Sequence, residues 1–238
     1  MKTITIKLTG PLQSFGNEAT FNQRTTSLHP SKSAVIGMIA AAFGYQRDDE
    51  KITDLNSLDF AVRIDQPGRV FTEFQTVEWK KDTRKLTYRG LIQDAVFVVA
   101  IGNENDSLID EIKFALRHPV YQLFLGRRAN VPAGVLQIEE FSGINPVQVL
   151  KDFPWQASKW YQKSKSNDQT VKVELLADTK LLTGEKYFMV KDGVGSFSQK
   201  NRFFNYRPVE RARNGIDLIN PAYEEKDQST DHDALDAL

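Results

Sequence analysis

The sequence contains no cysteine, which excludes disulfides, thiolate catalysis and cysteine-ligated zinc. Histidine is nearly as scarce. His29, His118 and His232 are scattered and leave little for a metal site, so neither metal nor redox chemistry is expected. No apolar run approaches the length needed to span a bilayer, and MKTITIKLTG at the N-terminus alternates like a strand where a signal peptide would carry an apolar core. The expected setting is therefore the cytoplasm, with no membrane partner. P-loop, HExxH and strand-linked GxGxxG motifs are all missing; GVGSFS at 193–198 lacks the third glycine and the helix that should follow it. No small-molecule cofactor is expected.

Net charge is missing too, since 31 Lys+Arg balance 31 Asp+Glu. The distribution is uneven, however. Residues 222–238 hold six acidic side chains and one lysine, leaving 30 basic and 25 acidic residues in a mildly basic body. The tail is polar and poor in core formers, which reads as a solvated terminus. With 238 residues and 40% hydrophobic content, the body can bury the core of one large domain or of a domain with an elaborated second part.

Thr3 to Leu8 sets Ile4, Ile6 and Leu8 on one strand face before Gly10-Pro11 breaks it. PSKSAVIGMIAAAFG, from Pro30, carries Val35, Met38, Ile39, Ala42 and Phe43 at helical spacing, with Ser31 or Ser33 as N-cap and Gly44 as stop. DFAVRID (59–65) alternates as a strand, and AVFVVAI (95–101) is the continuous apolar run of a central one. Between them, two β-prone segments flank a basic tip, predicting a hairpin over about 70–94 inserted between core strands. SLIDEIKFALRH places Leu108, Ile109, Ile112 and Leu116 on one helix face behind a capping serine and stops at Pro119, and GVLQIEEF (134–141) supplies a fourth strand.

This order predicts an α+β fold: a modified ferredoxin-like, RRM-like βαββαβ domain over 1–141, with helices on one face and an inserted β-hairpin thumb. A smaller, mainly β part is expected over 142–215, beginning with a short helix that has Pro146 first, and a disordered acidic tail over 216–238. KSKSNDQT (163–170) reads as a mobile loop within the second part.

Five segments suit phosphate. TGPLQSFG (9–16) offers Gly10 and Gly16 for close backbone approach and Gln13 and Ser14 for hydrogen bonds, although a turn alone would explain it. SKS opens the first helix, where free N–H groups favour an anion; capping explains Ser33, but a first-turn cation such as Lys32 is disfavoured unless an anion sits nearby. The hairpin tip gathers Lys80, Lys81, Arg84 and Lys85 between Trp79 and Tyr88, a backbone clamp with stacking surfaces or a guard against edge aggregation. LFLGRR places Arg127 and Arg128 beside Gly126, planar forks where a backbone can come close. SFSQKNRFFNYRPVERAR interleaves Lys200, Arg202, Arg207, Arg211 and Arg213 with aromatics, about half of which belong to a core. Together these features point to single-stranded RNA on a ferredoxin-like scaffold, without the RNP aromatic signature.

TITIKLTGPLQSFG, PSKSAVIGMIAAAFGYQRDD, FQTV, DAVFVVAI, HPVYQLFLGRR and SFSQKNRFFNYRPV, in this order and spacing, resemble the CasD-type members of CRISPR-associated family five, subunits of the type I-E Cascade complex and part of the repeat-associated RAMP superfamily. The resemblance covers roughly residues 1–210. It implies a CRISPR RNA-binding subunit in antiviral defence that cuts nothing itself and caps the 5′ repeat-derived handle of the guide. Its implied partners are the CRISPR RNA 5′ handle, the Cascade backbone subunit and the large subunit. Carried onto this chain, Lys32, Ser33 and the Gly10–Gly16 loop would contact the handle, Arg127 and Arg128 would anchor it, and residues 79–89 would form the thumb.

A sister group in type I-C systems implies a rival. Its members are metal-independent endoribonucleases that use a tyrosine, a basic residue and a histidine, for which Tyr45, Arg117 and His118 stand here. The bland alternatives are that Tyr45 packs beside a helix stop and that His118 caps the carbonyls of the second helix.

Overall fold

The computed structural model describes residues 1–16, 22–182 and 186–225. β1 (Lys2–Thr9) leads through the short pieces β2 (Leu12–Gln13), β3 (Phe15–Gly16), β4 (Gln23–Arg24) and β5 (Thr26–Ser27) to α1 (Lys32–Phe43) and α2 (Lys51–Asp54). Then come β6 (Asp59–Gln66), β7 (Arg69–Lys80), β8 (Thr83–Gln93), β9 (Val96–Asn103) and α3 (Asp106–Arg117). β10 (Gln137–Ser142), α4 (Pro146–Asp152), α5 (Lys159–Ser164), β11 (Thr170–Asp178), β12 (Tyr187–Ser196), β13 (Phe203–Arg211) and β14 (Ile216–Ile219) complete the described chain.

The main sheet has the order β10-β1-β9-β6-β11-β13-β12, with β14 on β11, and every pairing is antiparallel. Its first four strands have the order and directions of a split βαβ sheet, with α1 joining β1 to β6 and α3 joining β9 to β10. α1 ends as the sequence predicts. Ser31 accepts from the Ala34 N–H, and Gly44 adopts the left-handed conformation at φ 81° while its N–H closes on the Ala40 and Ala41 carbonyls. The N-cap of α3 is not a serine, as expected, but Asn105, whose side chain accepts from the Leu108 N–H.

Two expectations about layers change. Helices do not cover one face only. α1 and α3 pack on the face that presents Ile4, Ile6 and Phe97, while α4 and residues 153–157 cover the other with Leu150, Phe153 and Trp155 against Val98 and Ala100. Burial from both sides explains why β9 is apolar without alternation. The C-terminal strands also extend the first sheet, since β11 pairs with β6 from Ala61–Ala177 to Ile64–Glu174.

The expected tail from 216 onward is corrected as well. Residues 216–219 form β14, and Asn220 is buried, its amide donating to the Gln162, Lys165 and Asp168 carbonyls. That amide pins the stretch expected to be a mobile loop. Residues 226–238, which hold most of the acidic tail, lie outside the described residues.

Arg63 on β6 fastens the second layer. It is fully buried, pairs in bidentate fashion with Asp65 at 2.6 and 2.8 Å, and donates to the Leu150, Phe153 and Pro154 carbonyls at and beyond the C-terminus of α4. Asp65 also accepts the Gln156 N–H, so both charges are satisfied. Arg63→Ala would leave that carboxylate buried without its cation. We expect a loss of about 3–5 kcal/mol in denaturant unfolding, and a loss below about 1 kcal/mol would remove Arg63 as the fastening of this layer.

Candidate nucleic-acid interface

The two glycine-containing loops meet. The Ser14 N–H donates to the Leu125 carbonyl at 3.1 Å, and Gly126, at φ 85°, lies so close that an added Cβ would stand 1.7 Å from the Ser14 oxygen. Only glycine permits this contact. Gly10 is similarly pressed, with a hypothetical Cβ 2.7 Å from the Val131 oxygen, whereas Gly16 faces open space. Gln13 and Ser14 turn inward. Their side chains are buried and donate to the Ala95 and Gly90 carbonyls, so they position the loop against the hairpin root and present no group to an external strand.

Beside this contact the hairpin is gripped by β2 and by β4, which runs parallel to β8 with Arg24 opposite Arg89. Arg127 reaches the same place, its guanidinium donating to the Arg24 carbonyl at 3.3 Å. Burial weakens the hold of Arg127 on its proton, and the positive charges of Arg89 and Arg24 weaken it further. The opposing carboxylate is Glu73, across the strand pair from Arg89. Among the described residues, Arg89 Nε, one Arg127 terminal nitrogen and the amide nitrogen of Asn130 are buried donors without a hydrogen-bond partner, as is the acceptor Gln13 Oε1. Among the described residues these guanidiniums face Glu73 as their opposing carboxylate, and the unfilled donors of Arg89 and Arg127 leave the junction short of an anion.

Arg128 is exposed next to this junction. Lys80, Lys81, Arg84 and Lys85 are exposed about the tip of the hairpin, whose turn is closed by Asp82 at φ 60° with its N–H on the Glu78 carboxylate. Lys200 and Arg202 are exposed between β12 and β13, Arg202 lying over the Phe204 ring at 5.3 Å.

Two further sequence-predicted contacts, like Gln13 and Ser14, are internal. Lys32 is 4% exposed; its ammonium donates to the Asn56 and Leu58 carbonyls and pairs with Asp178 at 3.2 Å, while its N–H takes Asp192. The anion that a first-turn lysine requires is thus supplied by the chain itself. Burial lowers the Lys32 pKa and Asp178 opposes that shift. Arg207 is committed to the same Asp178 and Asp192 carboxylates. Ser33, half-buried, lies 3.2 Å from the Ser31 hydroxyl.

Tyr45 stacks on Phe43 at 5.1 Å beneath the Lys51 ammonium, and burial followed by nearby carboxylates pushes its phenol pKa up, away from ionisation. Nδ1 of His118 lies 3.1 Å from the Phe114 carbonyl, and Arg117 donates to the Ile138 carbonyl. Among the described residues no hydrogen bond joins Tyr45 to either. No cluster of metal ligands occurs among the described residues, and no described helix is long and apolar enough to cross a membrane.

Sequence reasoning missed Arg24 and Arg89. Arg24 adjoins no motif, Arg89 ends the 79–89 stretch read as the thumb without being singled out, and the parallel β4–β8 pairing that unites them is invisible locally.

Comparison with known proteins agrees with this architecture. The family described as CRISPR-associated protein (Cas_Cas5) matches residues 3–209. The CRISPR system Cascade subunit CasD of Escherichia coli (strain K12) is 31% identical over 144 residues, which span 52% of this chain and 64% of that protein. A chain of a CRISPR RNA-guided surveillance complex superposes with a TM-score of 0.71 at 28% identity, covering 90% of this chain and 91% of that one. A crystal structure of a Cas protein does so with a TM-score of 0.68 at 27% identity, over 94% and 98% of the two chains. The family match runs from β1 into β13, through both loops and the arginine junction between them, and the chain belongs to the CRISPR-associated Cas5 family.

Proposed function

We propose that this protein is a non-catalytic RNA-binding subunit of a Cascade-type surveillance complex, holding the 5′ repeat-derived handle of the CRISPR RNA. The observation that carries this reading is the arginine junction. Among the described residues, Arg24, Arg89 and Arg127 face one carboxylate, Glu73, and leave buried donors unfilled, an arrangement that a phosphodiester would complete. Similarity to a surveillance-complex chain and to CasD supports RNA as the source of that phosphate. Arg128 would extend the contact along the strand. The exposed hairpin is the proposed thumb toward the backbone subunit, with the large subunit as a further partner. Lys32 and Arg207 act in this scheme as interior supports.

The junction makes a two-part prediction. Arg89→Ala and Arg127→Ala should each weaken binding of guide RNA and reduce the slope of log K against log salt by about 0.7–0.9, without lowering the melting temperature, because each relieves repulsion between like charges. Gly126→Ala should weaken binding with the slope unchanged, since it distorts the loop contact and removes no cation. An unaltered affinity in all three variants would place the RNA elsewhere.

The endoribonuclease alternative rests on Tyr45, Arg117 and His118, and the engagement of His118 Nδ1 with the Phe114 carbonyl disfavours it. Repeat RNA incubated with the protein in EDTA should stay intact. Specific cleavage that vanishes in His118→Ala would make the protein an enzyme.

A further inference from the structure

β6 and β11 stay paired only as far as Ile64–Glu174. There they part, because β6 turns through Pro67-Gly68 into the hairpin while the first half of β11 pairs with β14. The divergence leaves a cleft of about 650 Å³, a volume in the range of small-molecule sites. Its lining includes apolar Ile64, Val171 and Val173 and the aromatic Tyr161, interspersed with charged Asp65, Lys172, Glu174 and Arg211. Thr26–His29, the stretch between the arginine junction and α1, also lines it.

With Asp65 already held by Arg63, the apolar and aromatic part of the lining suits an uncharged ring. His29 Nδ1 lies 3.2 Å from the Pro30 carbonyl, which can only accept, so Nδ1 carries the hydrogen. Burial pushes the His29 pKa down, leaving Nε2 an acceptor on a neutral imidazole. At the rim, Arg211 is already paired with Glu174 at 3.6 Å. Leu28, 65% exposed, adds apolar surface.

The cleft also begins where the arginine junction ends. Arg24 precedes Thr26 by two residues, at most about 7 Å of chain, and Thr26 packs over Gly90, the neighbour of Arg89. A strand with a phosphate on the arginines has its adjoining base within reach of this wall. Single-stranded RNA is commonly read in this way, by splayed bases set against apolar and aromatic surfaces.

We infer that the cleft between β6 and β11 receives one unstacked nucleobase of the RNA strand whose backbone occupies Arg24, Arg89 and Arg127. This assignment rests on the RNA-binding reading above.

The test uses the full chain and a synthetic copy of the 5′ segment of the guide RNA recovered with its complex, with one abasic ribose placed at each position in turn. One position should cost about tenfold more affinity than its neighbours. That excess should fall below about twofold in His29→Leu, which removes the acceptor, and in Ser27→Trp, which fills the cleft. Either variant suffices if it melts with the wild type. Equal penalties at all positions with tight binding retained, or an excess that persists in both variants, would overturn the cleft assignment and leave the arginine junction standing. Failure of the wild-type chain to bind any of these RNAs would overturn both.

Discussion

The ammonium of Lys32, buried at the first turn of α1, is the charge on which the arrangement of the sheet depends. It joins the chain before β6, through the Asn56 and Leu58 carbonyls, to Asp178 at the end of β11. Arg207 from β13 carries the connection on to Asp192 of β12, which in turn caps the N–H of Lys32. A lone buried charge would cost several kcal/mol. Two cations facing two carboxylates, with carbonyls absorbing the remaining protons, make the interior neutral and directional. The network holds the start of α1 against the strands added beyond the ferredoxin-like core, and so fixes the Thr26–Ser31 approach from which both the arginine junction and the cleft are built.

Comparing that network with the junction separates support from function. Around Lys32 the charges match and their hydrogen bonds close. At the root of the hairpin, among the described residues, three arginines meet Glu73 and buried donors stay open. Both clusters are basic in sequence, yet among the described residues only the second has more cations than carboxylates. The unmatched cluster has the chemistry of a receptor.

The fold was legible where local rules and burial agree. Ile4, Ile6 and Leu8 marked β1, Ser31 and Gly44 bounded α1, and the apolar run of β9 marked a central strand. The second layer escaped notice because Arg63, the residue that fastens it, is charged, and a charge at that point of β6 gives no sign of its three carbonyl partners. The site was half legible. Gly126 and the adjacent arginines stood out as a motif, whereas Arg24 and Arg89 become neighbours only through a parallel pairing between distant segments. Lys32 was recognised as needing an anion, but sequence could not say that Asp178 and Asp192, 146 and 160 residues away, supply it.

The hairpin has a mechanical consequence. Residues 76–86 are exposed on both strands, while the root is clamped by β2 and β4. From Arg89 to Thr83 the arm runs about 20 Å, so a rotation of one degree at the root sweeps the tip by roughly a third of an ångström. The relation works in reverse. A force applied at the tip acts on the clamp with that leverage, and the clamp contains the arginine that faces Arg24. Whatever holds the far end of the arm thereby sets the spacing of the guanidiniums at its fulcrum.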